Sequence, residues 1–186
     1  MKSEMSPDRT LTLLNRQRTR PVNLRLLLRV LETFLRSILS SLTPKQGRGR
    51  RGPSGQQPNT LSPGVKGYDL TLYLVAESEM IHLNETHLRH KGSTDVITFD
   101  YADPTQLDFL HGEIFVCVDE ALIQARRFRT TWQSELVRYA VHGILHLRGY
   151  DDQTARARSK MKKLENQSMT ALARQFAFSK LARRPT

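Results

Sequence analysis

The sequence has little cysteine and no long uncharged apolar run. Its single cysteine, Cys117, excludes an internal disulfide framework and a zinc site built from cysteines. Cys117 lies in the apolar run EIFVCVD, which favours an inert buried thiol over a reactive one. The longest apolar stretch, VNLRLLLRVLETFLRSILSSL, contains Arg25, Arg29, Glu32 and Arg36, and a membrane-spanning helix rarely tolerates so many charges. Since no segment resembles a secretory signal, we expect a soluble protein of a reducing compartment with no membrane partner.

Acidic residues are scarce in the first third of the chain. Residues 1–68 hold 13 Lys and Arg against 3 Asp and Glu, whereas residues 69–186 hold 16 against 15. The net charge of +11 is therefore concentrated near the N-terminus. Such a segment can attract a polyanion such as nucleic acid, and a solvated basic tail that aids solubility is the alternative interpretation.

Composition divides the chain into a tail and a domain. Residues 1–22 are polar, basic and without periodicity, and they predict a disordered N-terminal tail. Residues 23–186 predict a single domain that contains a flexible basic linker over residues 43–67, where Gly, Pro, Ser, Gln and Arg are dense. An amphipathic helix is predicted to begin after Asn23, a plausible N-cap, because apolar residues recur at helical spacing: Leu27, Leu31, Phe34, Leu35, Ile38 and Leu42.

Periodicity after Asp69 predicts alternating strands and helices. The segments DLTLYLVA, TDVITFDY and GEIFVCVD are typical of strands, and residues 77–90 suit a short helix. Three further helices are predicted in DEALIQARRFR, QSELVRYAVHGILHL and ARARSKMKKLENQSMTALARQF. This order predicts an α+β fold, with a small mixed sheet of about four strands packed with about five to six helices.

The stretch HGILHLRGYDD indicates a metal site at the end of a helix. His142 and His146 lie one turn apart, so both imidazoles leave the same side of the helix and can reach one cation. Gly149 lets the chain turn back, and Asp152 then supplies a third, oxygen ligand. Three protein ligands with an open fourth position are typical of a catalytic zinc site. The alternative is a helix C-terminus with two incidental histidines.

The residue after the first histidine argues against a protease. Zinc proteases of the H-E-x-x-H type carry a glutamate there as general base, and this chain has Gly143. Water activation must then come from the metal or from another carboxylate. A phosphodiester has a better leaving group than a peptide, so the site favours cleavage of nucleic acid.

Three ordered blocks resemble the YbeY-type endoribonucleases, also called rRNA maturation factors. HGILHLRGYDD, followed by Met161 and Glu165, is similar to the family signature H-G-x-L-H-L-x-G-Y-D-H. LNETHLRHKGSTDVITFDY resembles the segment L-N-x-x-Y-R-x-x-D-x-P-T-D-V-L-S-F, and HGEIFVCVDEA resembles the block L-G-D-I-x-I-S. The likeness covers roughly residues 68–165.

The resemblance implies a cytoplasmic, metal-dependent endoribonuclease that acts on single-stranded RNA. It implies a role in maturation of the 3′ end of small-subunit (16S) rRNA and in ribosome quality control, with rRNA and the ribosome or its small subunit as partners and no DNA substrate. It implies one Zn²⁺ per chain, held by His142, His146 and Asp152. Asp152 stands where most members have a third histidine, and a carboxylate ligand could favour a harder metal than zinc.

The chain departs from the family pattern at several positions. Leu88 stands where the family has an arginine thought to hold phosphate or aid catalysis, and Arg89, the catalytic candidate, follows one residue later. Asp151 and Glu113 are predicted to lie behind the metal ligands and support them, Asp151 by orienting a histidine N–H. The alternative for both is an ordinary structural role, which for Asp151 is the N-cap of the last helix. Ser93 replaces a proline with little expected effect.

Basic residues supply the candidate RNA-binding surface. The candidates are Arg89, His90 and Lys91, the cluster Arg126, Arg127 and Arg129, and the basic linker. No RRM or KH signature is present, so sequence-specific recognition by those modules is not predicted. The alternative function is a ribosome-assembly or RNA-binding protein with a mainly structural metal, and Leu88 in place of arginine is the feature that favours it.

Overall fold

The computed structural model describes residues 9–40, 65–103, 105–106 and 108–183. The elements follow one another as β1 (Arg9–Asn15), α1 (Leu24–Ser40), β2 (Gly67–Val75), α2 (Glu77–Leu83), a π-helical turn (Asn84–Leu88), β3 (Val96–Asp100), β4 (Phe109–Cys117), α3 (Val118–Phe128), α4 (Trp132–Leu147), α5 (Ala155–Gln175) and a short 3₁₀ helix (Phe178–Leu181). The predicted α+β class, with four strands in one mixed sheet, is confirmed.

The sheet has two unlike faces. Its strand order is β1-β2-β4-β3, with β1, β2 and β4 parallel and β3 antiparallel at the edge. Side chains alternate between the faces along each strand. On the helix-covered face, Leu70, Leu72 and Ile114 are fully buried in the core beneath α1, α4 and α5. The opposite face, called the open face below, is covered in part by α2, where Phe115 and Met80 are buried; Tyr73 is partly exposed there and Tyr101 is 51% exposed.

The prediction of a disordered tail is wrong for residues 9–22. Residues 9–15 form β1, which pairs in parallel with β2 in the register Arg9↔Tyr68 to Asn15↔Leu74. Leu11 and Leu13 pack against the main core, and Val22 is buried. The strand is short and half exposed, so its alternation is weak, and its partner lies more than fifty residues away along the chain. Composition alone could not reveal such a non-local pairing.

The predicted linker over residues 43–67 lies almost wholly outside the described residues. Its last three residues are described, and they already belong to the fold. Val65 is buried at 3% exposure, and Gly67 begins β2. The limits of a single domain over residues 23–186 remain a prediction.

Helix α1 forms where its apolar spacing predicts. The Asn23 side chain caps it, because Oδ1 of Asn23 accepts a hydrogen bond from the Leu26 amide at 3.1 Å. Leu27, Leu31 and Phe34 are buried on its inner side. Burial of this stripe joins α1 to the same core that holds α4 in place.

Glycine brings α4 unusually close to the sheet. A Cβ atom at Gly143 would lie 2.7 Å from Cγ2 of Ile114 and 3.1 Å from Cγ2 of Val96. Position 143 therefore faces the strands rather than the histidine side of the helix. This is the structural reason why a glutamate general base is absent there: any side chain at position 143 would collide with the sheet.

The single cysteine is buried, as predicted. Cys117 is 0% exposed at the end of β4, and its sulfur accepts a hydrogen bond from the Glu120 amide at 3.4 Å. Burial is the main cause that raises the pKa of the Cys117 thiol. A thiol that stays protonated is a poor nucleophile, so Cys117 serves packing and the start of α3.

Candidate metal centre

Helix α4 presents the two histidines and then ends abruptly. Thr131 caps its start, since the Thr131 hydroxyl accepts from the Ser134 amide at 3.3 Å. At the other end the Gly149 amide bonds the His146 carbonyl at 2.8 Å and the Tyr150 amide bonds the Leu145 carbonyl at 3.0 Å. Gly149 has φ of 90°, which completes a Schellman motif. This turn reverses the chain and carries residues 150–152 back toward the histidines.

The two imidazoles converge on one point. Nε2 of His142 and Nε2 of His146 are 3.0 Å apart, and the rings are nearly perpendicular with centroids 4.6 Å apart. Asp152 joins them, with Oδ2 at 3.9 Å from Nε2 of His142. All three ligand atoms lie within 4.8 Å of one another. The structure thus brings together the three predicted ligands.

The other nitrogen of each ring is already engaged. Nδ1 of His142 lies 2.9 Å from Oε2 of Glu165, and Nδ1 of His146 lies 3.1 Å from the Tyr150 carbonyl oxygen. A carboxylate and a carbonyl only accept hydrogen bonds, so each Nδ1 carries the proton. In the neutral imidazoles both Nε2 atoms then hold lone pairs that face each other. A proton shared between the two nitrogens or a metal cation beside them satisfies that arrangement.

A divalent metal fits this donor set. Tetrahedral zinc binds imidazole nitrogen and carboxylate oxygen at about 2.0–2.2 Å, which places its ligand atoms roughly 3.3–3.5 Å apart. The observed separations of 3.0 and 3.9 Å bracket that spacing. Hydrogen bonds behind metal-binding histidines fix the tautomer and raise ligand basicity, as Glu165 and the Tyr150 carbonyl do here. His142, His146 and Asp152 would hold the metal.

Glu165 dominates the electrostatics of the site. Burial raises the pKa of Glu165, but hydrogen bonds from His142 and Arg138 outweigh burial, so the pKa lies below its ordinary value. Burial lowers the pKa of His142, but the hydrogen bond and charge of Glu165 outweigh burial and raise it. Burial, followed by the charge of His142, lowers the pKa of His146. The site therefore keeps an ionised carboxylate directly behind one metal-facing ring.

A cleft of about 470 Å³ opens beside the metal point. His142 and Glu165 form one end of its lining, and the strand-entry residues Ser93 and Asp95 form another wall. Glu135 and Tyr139 also line it, on the same side of α4 as His142. The cleft gives a substrate access to the histidine cluster.

Neither predicted supporting carboxylate, Asp151 or Glu113, hydrogen-bonds a histidine ring. Oδ1 of Asp151 accepts from the Gln153 amide at 2.9 Å, and the N-cap of α5 is Thr154. A threonine caps the helix, so the N-cap interpretation of Asp151 is wrong. Glu165 and the Tyr150 carbonyl orient the two rings, and support of the metal site by Asp151 stays a prediction. Glu113 lies on the open face, where its carboxylate accepts from Tyr73 at 2.9 Å and Tyr101 at 3.0 Å. Alternation along β4 sends Glu113 to the side away from α4.

The predicted RNA-binding residues are exposed and lie on two segments beside the cleft. Arg89, His90 and Lys91 precede Ser93 in a loop that the Asn84 side chain ties down through the Gly92 carbonyl at 2.8 Å. Arg89 adopts φ of 57°, and among the described residues its side chain has no hydrogen bond or ion pair to the histidine cluster. Its catalytic role stays a prediction.

The second segment is the end of α3. Arg126, Arg127 and Arg129 are exposed around Phe128, and Phe128 lines the cleft. The Arg127 guanidinium lies over the Phe128 ring at 5.5 Å from its centroid. Leu88, where the family has arginine, is 44% exposed.

The structure adds two residues to the site, Glu165 and Arg138, to which the sequence analysis assigned no role. Arg138 donates from Nη1 to Glu165 and to Asn166 at 2.9 Å, so it anchors the carboxylate that holds His142. A signal for Glu165 exists in the sequence. It shares a helical stripe with Met161, Met169 and Leu172, all buried, and a carboxylate inside such a stripe needs a buried partner.

The fold and the site define an α+β protein in which three residues at a helix end could hold a metal. The family model described as endoribonuclease YbeY matches residues 57–173. The chain belongs to the endoribonuclease YbeY family, which confirms the resemblance.

Relatives and a solved structure agree with this assignment. The chain is 41% identical over 90 residues to the endoribonuclease YbeY of Chlorobium phaeobacteroides, covering 48% of this chain and 63% of that protein. It is 32% identical over 109 residues to the endoribonuclease YbeY of Parabacteroides distasonis, covering 59% and 75%. The solution structure of TM1509 from Thermotoga maritima superposes with a TM-score of 0.54 at 24% identity, covering 91% of this chain and 95% of that one. That last likeness shows the fold.

No helix in the described ranges is long and apolar enough to cross a bilayer.

Proposed function

We propose that this protein is a metal-dependent endoribonuclease that cleaves single-stranded RNA. The observation that carries the proposal is the pair of facing Nε2 atoms, 3.0 Å apart, with Asp152 beside them and a proton acceptor behind each ring. The relatives named endoribonuclease YbeY support RNA as the substrate class. The proposal extends to one Zn²⁺ per chain, to the 3′ end of small-subunit (16S) rRNA as substrate, to a role in ribosome quality control and to a cytoplasmic location.

The residues divide the work of such a reaction. His142, His146 and Asp152 would hold the metal, which would supply Lewis-acid charge and lower the pKa of a water for attack on phosphorus. Glu165, anchored by Arg138, keeps the His142 ring in the tautomer that turns its lone pair to the metal. Gly143 holds that helix against the sheet and so fixes the direction of both histidines.

Basic residues near the cleft offset the charge of the RNA backbone. Arg127 and Arg129 flank Phe128 at the cleft mouth, and the Arg89–Lys91 loop leads into the Ser93 wall. Electrostatic contacts with phosphates supply sequence-independent affinity, which weakens as salt rises. We assign Arg89 the role of the displaced family arginine, acting on phosphate.

The test measures bound metal and RNA cleavage on the same samples. Bound zinc is quantified by atomic spectroscopy, and cleavage is followed with a labelled single-stranded RNA and with its duplex. His142→Ala and Asp152→Ala should lose zinc and reduce cleavage by at least about a hundredfold. Asp151→Ala is the matched control, because Oδ1 of that neighbouring carboxylate accepts from the Gln153 amide and neither histidine ring hydrogen-bonds it; it should retain both.

Two outcomes would contradict the proposal. If the zinc-loaded native chain leaves single-stranded RNA intact, the site is structural and the protein binds RNA or assists ribosome assembly without cutting. If cleavage survives both ligand substitutions, another site or a contaminating nuclease is responsible.

A further inference from the structure

The cleft beside His142 is rich in carboxylates. Four line it, Asp95, Glu120, Glu135 and Glu165, and Arg138 is the one Lys or Arg among its described lining residues. Arg138 is engaged by Glu165 and Asn166, and its Nε lies 3.7 Å from Oε2 of Glu135. A phosphate would be repelled here, because the side chains that line the cleft carry an excess of negative charge and the phosphate is negative too. The occupant must instead present hydrogen-bond donors.

Acceptors in this cleft remain free. Oδ1 of Asp95 accepts from Thr94 and from the Val96 amide, and Oε1 of Glu120 accepts from Gln124. Among the described residues, the second oxygen of each carboxylate has no hydrogen bond. Two neighbouring acidic side chains are thus able to bind donors of a ligand.

A buried hydroxyl marks the same cleft as a binding site. Tyr139 lines it and is 5% exposed, and its hydroxyl has no hydrogen-bond partner among the described residues. An unpartnered buried hydroxyl destabilises the folded protein, so native proteins seldom keep one without a reason. A ligand that reaches Tyr139 would satisfy it.

The mouth of the cleft offers an aromatic surface. Phe128 lines the cleft yet is 62% exposed, and the Arg127 guanidinium lies against its ring at 5.5 Å from the centroid. Proteins that bind single-stranded RNA stack unpaired bases on such rings and read the base edge with polar groups. An exposed phenylalanine above free carboxylates matches that design.

We infer that this cleft is a nucleobase subsite that selects guanine next to the cleaved bond. Guanine presents two adjacent donors, N1–H and the 2-amino group, for the free oxygens of Asp95 and Glu120. Uracil instead presents two carbonyl oxygens beside a single N–H, so both of these oxygens would face acidic side chains. The Tyr139 hydroxyl is a donor for the guanine O6 carbonyl. The inference rests on the proposed function, because the base must belong to a strand whose phosphate reaches the metal centre.

Equilibrium binding tests the subsite without requiring cleavage. Fluorescence anisotropy, read before any cleavage of the probe is detectable on a gel, would measure how the native zinc-loaded chain binds three short oligouridylates: one all uridine, one with a central guanosine and one with a central inosine. We expect the guanosine strand to bind about tenfold more tightly than the uridine strand. Inosine lacks the 2-amino group, so its strand should fall between the two.

Variants on α3 separate recognition of the base edge by Glu120 from stacking of the base on Phe128. Glu120→Gln should reduce the guanosine-to-uridine ratio to about two or less, because one carboxylate oxygen becomes an amide donor. Phe128→Ala should weaken binding of the guanosine strand several-fold through lost stacking. Ile123→Ala is the matched control: this residue is 47% exposed on the same helix and is not part of the cleft. It should leave the ratio unchanged.

The outcomes distinguish this inference from the proposed function. Equal binding of the guanosine and uridine strands, or an unchanged ratio in Glu120→Gln, overturns the subsite even if the chain cleaves RNA. A guanosine preference that Glu120→Gln abolishes supports the subsite even if no cleavage is seen. Should Glu120→Gln fail to fold, Phe128→Ala decides, since Phe128 is largely exposed and its loss leaves the core intact.

Discussion

The two faces of the sheet use the same chemistry to different ends. On the helix-covered side, Glu165 receives side-chain hydrogen bonds from His142 and Arg138. On the open face, Glu113 receives them from Tyr73 and Tyr101. Glu165 is buried among charged groups behind metal-facing atoms, whereas Glu113 sits half-buried beneath two tyrosines, one of them 51% exposed. The comparison teaches that a hydrogen-bonded carboxylate becomes part of a reactive site when it is buried and when its partner, like His142, also faces the metal position.

The largest expected contrast between the faces is in stability. Phe34→Ala, in the core of the helix-covered face, should lower the free energy of unfolding by about 3–5 kcal/mol. Leu14→Ala, on the open face at 43% exposure, should change it by about 0.5 kcal/mol or less. Denaturant unfolding followed by circular dichroism measures both. Equal losses would show that the open face is covered in solution.

Close packing of α4 on the sheet should make Gly143 intolerant of a methyl group. Gly143→Ala gains helix propensity, but its Cβ would meet the Ile114 methyl at 2.7 Å. Overpacking of this kind costs about 1–3 kcal/mol, so we expect a net loss of stability together with weaker zinc binding as the histidines shift. Thermal unfolding and zinc titration test this. A stabilised variant would mean that the sheet yields at no cost.

Exchange of the two carboxylates for amides should separate the faces functionally. Glu165→Gln should weaken zinc binding about 10- to 100-fold, because it removes the charge behind the His142 ring. Glu113→Gln removes the same charge from the open face and should leave zinc affinity unchanged. Competition with a chromophoric chelator gives both affinities. Equal effects of the two substitutions on zinc affinity would show that Glu165 has no specific role in metal binding.

The smallest expected effect concerns alkaline stability. Burial, followed by nearby acidic side chains, raises the pKa of Tyr139 far above its ordinary 10.0. A group with a raised folded pKa contributes stability below its unfolded pKa, and that stability is lost as pH rises further. Above pH 10 the free energy of unfolding should therefore fall by up to about 1.4 kcal/mol per pH unit through Tyr139.

Matched tyrosine variants isolate the contribution of Tyr139 to the loss of stability at alkaline pH. Tyr139→Phe should flatten the decline of unfolding free energy above pH 10, and it should cost little at neutral pH because its hydroxyl lacks a partner. Tyr101→Phe, on the exposed open face, should leave most of the decline in place. Urea unfolding across this pH range gives both slopes. An unaltered slope in Tyr139→Phe would assign the alkaline loss to other groups.

Local patterns sufficed to predict much of the fold and the metal ligands. The helical stripe from Leu27 to Leu35 predicted α1, and the i,i+4 histidines with Gly149 and Asp152 predicted the ligand set that the structure brings together. Strand β1 was not predicted, because its partner strand is distant in sequence. The role of Glu113 was misjudged, because closeness to a motif along the chain does not fix where a side chain points.

By itself the sequence determined the spacing of His142 and His146, the turn at Gly149 and the family, since these depend on local geometry and on ordered motifs. Only the tertiary structure decided which groups stand behind the ligands. Glu165 reaches His142 because α5 packs against α4, and Gly143 is required because α4 lies directly on β3 and β4. The physical reason is that helix periodicity is encoded over a few residues, whereas the packing of one element on another depends on side chains throughout the core.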